Sequence, residues 1–111
     1  MLLIREKVKV QRMTLTEAKA VLRVDTTYND DLINSLLATL PGYIEISTGM
    51  KAADQATEPL VKTVSGFLLM LWYYSDHTDD EKLQRTIDNL LTAISLKARA
   101  MEQTGGQGET P

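Results

Sequence analysis

Cysteine is absent from the 111 residues of this chain. That excludes a disulfide framework, thiolate zinc sites and a cysteine nucleophile, and the fold cannot depend on an oxidising compartment. Histidine occurs once, as His77, so no site that needs two imidazoles can form within one copy. An excess of positive charge is missing too. The net charge is −3 at pH 7, which argues against a surface whose main work is gripping a phosphate backbone, although a local basic patch stays open. There is no long apolar run: the stretch Phe67 to Tyr74 falls well short of the ~20 residues of a membrane-spanning helix. Met1 to Ile4 is interrupted by Arg5, Glu6 and Lys7 too soon for the apolar centre of a signal peptide. A soluble protein, intracellular when made, is expected.

What is present is ordinary globular composition, 43% hydrophobic and 24% charged. The length gives one domain with no room for a second. A domain this small leaves much of its surface exposed, and oligomerisation is a natural way to bury more.

The most informative stretch runs from Met13 to Met50. Thr14 stands three residues before Glu17, the spacing of a capping box, in which each side chain reaches the other's amide. Leu15, Ala18, Val21 and Leu22 then share one helical face. Asp25 to Asn29 is turn chemistry. Asn29, Asp30 and Asp31 offer a cap and two negative charges to the next helix N-terminus. An apolar stripe of Leu32, Ile33, Leu36, Leu37, Leu40, Tyr43 and Ile44 follows, and Thr48-Gly49 closes the helix. Pro41 lies inside this pattern. Because the stripe keeps its phase beyond it, a kinked continuous helix is expected, softened by Gly42.

Lys51 to Thr57 is an alanine-rich polar loop. Glu58-Pro59 opens a third helix, with Pro59 where its missing donor costs nothing. From Val61 to Tyr74 that helix is apolar on almost every side, which calls for burial on every side. In so small a protein part of this surface is expected to meet another subunit. After the acidic loop Ser75 to Asp80, a fourth helix runs from Glu81 to about Glu102, with Leu83, Ile87, Leu90, Leu91, Ile94, Ala98 and Met101 in one stripe. Leu83, Ile87, Leu90, Ile94 and Met101 also fit a heptad seam that Lys97 interrupts. The candidate oligomer interface therefore comprises Phe67, Met70, Leu71 and Tyr74 of the third helix with Ile87 and Ile94 of the fourth.

Both ends differ from the middle. Leu2 to Arg12 alternates loosely, with Ile4, Val8 and Val10 apolar and Arg5, Lys7, Lys9 and Gln11 polar. It reads as a strand, an extended arm or a loose leader. Its basic cluster suits nucleic acid in a channel, an acidic partner, or plain solvent. TGGQGETP, from Thr104 to Pro111, is low-complexity and expected to be disordered. The organisation is thus an all-α bundle of about four helices over 14–103, with an arm at 1–13 and a flexible tail at 104–111.

No constellation carries catalysis. Asp76, His77, Asp79, Asp80 and Glu81 are near neighbours in a loop with no second histidine to complete a metal set, and Asp79 and Asp80 suit a helix N-terminus. Asp25, Asn29, Asp30 and Asp31 lack the alternation and central glycine of a calcium loop. Gly105, Gly106 and Gly108 open no helix, so they make no phosphate loop. Trp72-Tyr73-Tyr74 suits core or interface packing better than base stacking. No catalytic residue, cofactor or metal is expected.

The order of these signals resembles the small helical head–tail connector proteins of tailed bacteriophages. The matching residues are Leu15, Glu17, Ala18, Lys19, Leu22, Arg23, Val24, Asp25, Asp30, Asp31, Leu32, Ile33, Leu36, Leu37, Tyr43, Ile44, Glu45, Thr48 and Gly49, followed by Trp72 and Tyr73. The resemblance spans roughly Thr14 to Tyr74, and its motifs, mostly caps and core positions, specify fold better than function. It implies a structural portal adaptor of a phage or prophage, not an enzyme. Such a subunit forms a homo-oligomeric ring, typically dodecameric in the virion, between the portal protein and a tail-side connector or tail-completion protein. DNA passes through the ring without sequence-specific contact, no membrane is involved, and the subunit is made in the bacterial host cytoplasm. Beyond Tyr74 the chain departs from the family: its fourth helix is longer, and the short ending with proline and arginine is missing. A different class fits the residues too, a small helical regulator or adaptor that dimerises through the fourth helix and binds protein or DNA.

Overall fold

The computed structural model describes residues 13–74 and 81–109, with side chains as far as Glu102. The arm as far as Arg12 and the acidic loop from Ser75 to Asp80 lie outside the described residues. Within them the fold is all-α: α1 (Leu15–Leu22), α2 (Asp30–Thr48), the one-turn α3 (Ala52–Gln55), α4 (Pro59–Tyr73) and α5 (Glu81–Glu109). Helix α4 packs between α1, α2 and α5, and α2 also touches α1 and α5.

The caps form as the residue types dictate. Thr14 N donates to Glu17 Oε1 at 2.9 Å and Glu17 N donates to Thr14 Oγ1 at 3.1 Å, so the box at the start of α1 is complete. Helix α1 ends on Arg23, whose φ of 61° is left-handed without the help of a glycine. The amides of Arg23 and Val24 turn back to the carbonyls of Ala20 and Lys19, which satisfies two acceptors of the last turn. At the end of α2, Gly49 adopts φ 85° and donates to Glu45 O at 2.7 Å. Thr48 Oγ1 donates to Ile44 O at 2.6 Å and accepts from Met50 N at 3.1 Å, fastening the chain as it leaves the helix.

Three expectations need correction. Asn29 occupies the N-cap position of α2 but makes no side-chain cap. Its Nδ2 instead donates to Tyr73 Oη at 2.7 Å, a bond that ties the side chain to α4. The polar loop after Gly49 holds α3, whose Gln55 is buried. Gln55 Nε2 donates to Pro41 O at 3.0 Å and Met50 O at 2.9 Å, so the amide serves carbonyls that the helix and loop would otherwise leave buried. The third correction concerns the tail: the backbone of α5 stays helical to Glu109, past the expected end near Glu102. Propagating an existing helix costs little per residue compared with starting one.

Helix α2 is continuous through Pro41, and its buried residues Ile33, Leu40 and Ile44 keep one phase on both sides of it. Helix α4 begins with Pro59 in its first turn, and Glu58 Oε2 accepts from Leu60 N at 3.1 Å. The largest fully buried side chains are Leu22, Ile33, Ile44, Met50, Val64, Leu68, Leu69, Ile87 and Ile94, drawn from every helix except the one-turn α3. Where α4 faces α1 at Gly66, an added Cβ would stand 3.7 Å from Met13 Cε and Val21 Cγ1, ordinary contact distances, so the approach does not depend on glycine.

Candidate interaction surfaces

Helix α4 carries most of the residues expected at an interface. From Phe67 to Tyr74, Leu68 and Leu69 are fully buried, and Phe67, Met70, Leu71, Trp72, Tyr73 and Tyr74 are half-buried against the core. The apolar character on all sides is thus absorbed mainly, not wholly, by the subunit's own helices. Phe67, Met70, Leu71 and Tyr74 keep some surface to offer. Ile87 and Ile94 do not: each is 0% exposed, so these two interface candidates belong to the subunit's own core. The reason is the amphipathic make-up of α5. Its inward apolar residues seat it on α2 and α4, while Leu96 and Met101 stay exposed. Lys97, which interrupts the heptad seam, reaches across to Glu58 with Nζ at 3.1 Å from Oε1, and Ala98 takes the buried place instead.

The aromatic trio is engaged within the subunit. Trp72 meets Tyr43 edge-on with ring centroids 5.3 Å apart, and Tyr73 meets Tyr74 likewise at 4.9 Å. Tyr74 Oη donates to Leu22 O at 2.6 Å, and Tyr73 Oη receives Asn29. Rings fixed edge-on with occupied hydroxyls suit packing better than base stacking.

One surface escaped the sequence reading. Leu32, Leu36, Tyr43 and Ile46 recur at helical spacing along a flank of α2, beside the buried line of Ile33, Leu40 and Ile44. Leu32 is 49% and Ile46 88% exposed, and Trp72 rests on this flank through Tyr43. The signal that could have separated them is phase: Leu32 and Ile46 lie away from the centre of the stripe. A solvent-facing Ile with a Trp–Tyr pair on the same flank is the kind of apolar surface that protein interfaces use.

A second surface is concave. A cleft of about 340 Å³ opens between α2, α3 and the start of α4, walled by Met13, Leu37, Pro41, Ile44, Gln55, Val61 and Ser65 among others. A more open hollow shares Met13 as a wall and is completed by Glu17, Ala20, Val21, Pro59 and Lys62. Among the described residues no charged side chain lines the cleft, and the amide nitrogen of Gln55 is already committed to two carbonyls. The cleft suits apolar side chains.

Three ion pairs form on the described surface. Lys62 Nζ lies 2.7 Å from Glu17 Oε2, and the Lys62 hydrogen bond, followed by the Thr14 amide, holds the Glu17 carboxyl below its ordinary range. Lys19 Nζ lies 2.8 Å from Asp30 Oδ1, off the line of a hydrogen bond, so charge holds that pair. With Lys97 on Glu58, these lysines face carboxylates and lay down no track for phosphates. Among the described residues no group of acids and histidines could hold a metal ion, and no helix is long and apolar enough to cross a membrane. The loop around His77 lies outside the described residues. Comparison of the chain with protein-family models, curated proteins and solved structures found no match.

Proposed function

We propose that this chain is a structural subunit of the connector ring between the portal and the tail of a tailed phage or prophage. The observation that carries this reading is the pairing of a capped two-helix unit, Thr14 to Gly49, with two unlike apolar surfaces on one small subunit. Those are the exposed flank of α2 with Trp72 and the cleft beside Met13. A ring closes through a head-to-tail contact, which joins two different patches of the same subunit. A two-fold dimer would need only one self-complementary patch.

In this reading the subunit performs no reaction and needs no cofactor or metal. It repeats around the DNA channel, typically as a dodecamer, with the portal on one side and a tail-side connector or completion protein on the other. DNA passes without sequence-specific contact, and the assembled protein resides at the head–tail junction of the virion. The competing reading, a regulator that dimerises through its fourth helix, is weakened by the burial of Ile87 and Ile94, the centre of the seam it would use. Electron microscopy of the purified protein, alone and mixed with its portal, separates the two. A ring seated on the portal supports the connector. A dimer that ignores the portal and binds duplex DNA with a steep salt dependence overturns it.

A further inference from the structure

We infer that the turn between α1 and α2, residues 23–29, is a preformed docking tip whose Tyr28 ring enters an apolar slot rimmed by cations on a partner protein; this rests on the connector reading above, in which that partner is the ring's portal or tail-side neighbour. Three observations carry it. The first is exposure. Tyr28 is 90% exposed, and Leu32, one helical turn further on, is 49% exposed. The Tyr28 side chain makes no hydrogen bond or ring contact among the described residues. The second is bracing. Tyr74 Oη donates to Leu22 O at 2.6 Å at the entry of the turn, and Asn29 Nδ2 donates to Tyr73 Oη at 2.7 Å at its exit. Lys19 Nζ, 2.8 Å from Asp30 Oδ1, ties the end of α1 to the start of α2. Holding the turn in this way overrides two local preferences. Arg23 takes φ 61°, a left-handed conformation that a side chain disfavours, and α2 starts without the side-chain cap that Asn29 could give. Local rules are broken like this where a site needs a fixed shape, and a fixed tip loses little freedom on binding.

The third observation is charge. From Val24 to Met50 there is no lysine, arginine or histidine, while Asp25, Asp30, Asp31 and Glu45 are carboxylates. Lys19 answers Asp30, but Asp25 and Asp31, on either side of Tyr28 in the chain, are exposed. The cleft proposed to join copies has no charged side chain among the described residues to meet them. The tip therefore suits a different protein, one with lysines or arginines around an apolar slot. Tyrosine is favoured at the centre of such contacts, because it brings a large ring on few rotatable bonds.

Tyr28→Ser, Tyr28→Phe and Asp25→Lys in the full-length chain test this. Both positions are exposed, so circular dichroism should show each variant melting as the parent does, and light scattering should show the parent's mass. Binding to the purified portal and to the purified tail-side protein is then titrated at low and high salt. The expected result is that Tyr28→Ser weakens one of these two complexes by about tenfold or more, while Tyr28→Phe stays within about threefold. Asp25→Lys should weaken the same complex and reduce its salt dependence. Unchanged binding of both proteins by Tyr28→Ser overturns the tip and leaves the connector standing. A parent chain that binds neither protein overturns both. A Tyr28→Ser chain that loses its ring mass puts Tyr28 between copies and overturns the tip as well. Asp25→Lys binding as tightly as the parent, or more so, overturns the cationic rim.

Discussion

Helices α4 and α5 lie side by side and solve burial in opposite ways. Helix α4 has 15 residues and is apolar on nearly every side, so α1, α2 and α5 must all cover it. The cover is complete over Leu68 and Leu69 and partial over Phe67, Met70, Leu71 and Trp72. Helix α5 is 29 residues long and strongly one-sided, with Ile87, Ile94 and Ala98 inward and Leu96 at 60% exposure on the far face. The total of apolar residues in a helix tells how many sides need cover, and their phase tells which side the subunit covers by itself. An amphipathic helix uses its apolar face at home. A helix that is apolar all round has some left for a neighbour. On the proposed reading the contact surfaces are the flank of α2 with Trp72 and the cleft beside Met13, not the seam of α5.

The sharpest way to break this contrast is to truncate both helices. Leu68→Ala and Ile94→Ala should each cost about 2–5 kcal/mol, because both sites are fully buried. Leu96→Ala should stay within about 0.5 kcal/mol. Urea unfolding of the three variants measures this, and a mild Ile94→Ala would return that residue to the surface. Next in size is Gln55→Leu, which keeps volume and deletes both bonds to the carbonyls of Pro41 and Met50. Leaving buried acceptors unpaired should cost about 1–3 kcal/mol, visible in the same unfolding curves.

Smaller, and opposite in sign, is Gly66→Ala. The new methyl meets Met13 and Val21 at ordinary contact distance, and alanine's helix propensity should raise stability by about 0.5–1 kcal/mol. A loss there would mean that α1 and α4 already touch more tightly than the geometry allows for. Least is the pH response of Glu17. Its folded pKa is lowered from 4.5, so its contribution is present above that value and is lost as pH falls through the folded one. Lys62→Met should move the Glu17 titration, followed by NMR, back upward.

Local chemistry was legible in the sequence. The Thr14–Glu17 box, the left-handed Gly49 and the first-turn Pro59 all follow from residues close together in the chain, and the structure forms each one. Long-range choices were not. Asn29 abandons its helix for a tyrosine 44 residues away, and no local pattern announces that partner. Gln55 is buried in what composition alone presents as a polar loop, because its value lies in carbonyls contributed by another element. Arg23 takes a left-handed turn where a glycine would be expected. The interface candidates on α5 were half legible: helical phase located their stripe, but whether Ile87 and Ile94 face a neighbour or their own subunit depends on where α2 and α4 sit.

The central claim is that copies join head-to-tail, the flank of α2 with Trp72 on one subunit against the cleft beside Met13 on the next, while the α5 seam stays inside the subunit. The mass of the assembled species, wild type against Ile46→Asp and Leu96→Asp, tests it most directly. Both substituted residues are exposed, at 88% and 60%, so neither change should disturb folding. The account predicts a closed multimer for the wild type and for Leu96→Asp, and a monomer of unchanged melting temperature for Ile46→Asp. A wild-type dimer that survives Ile46→Asp and falls apart with Leu96→Asp would contradict it.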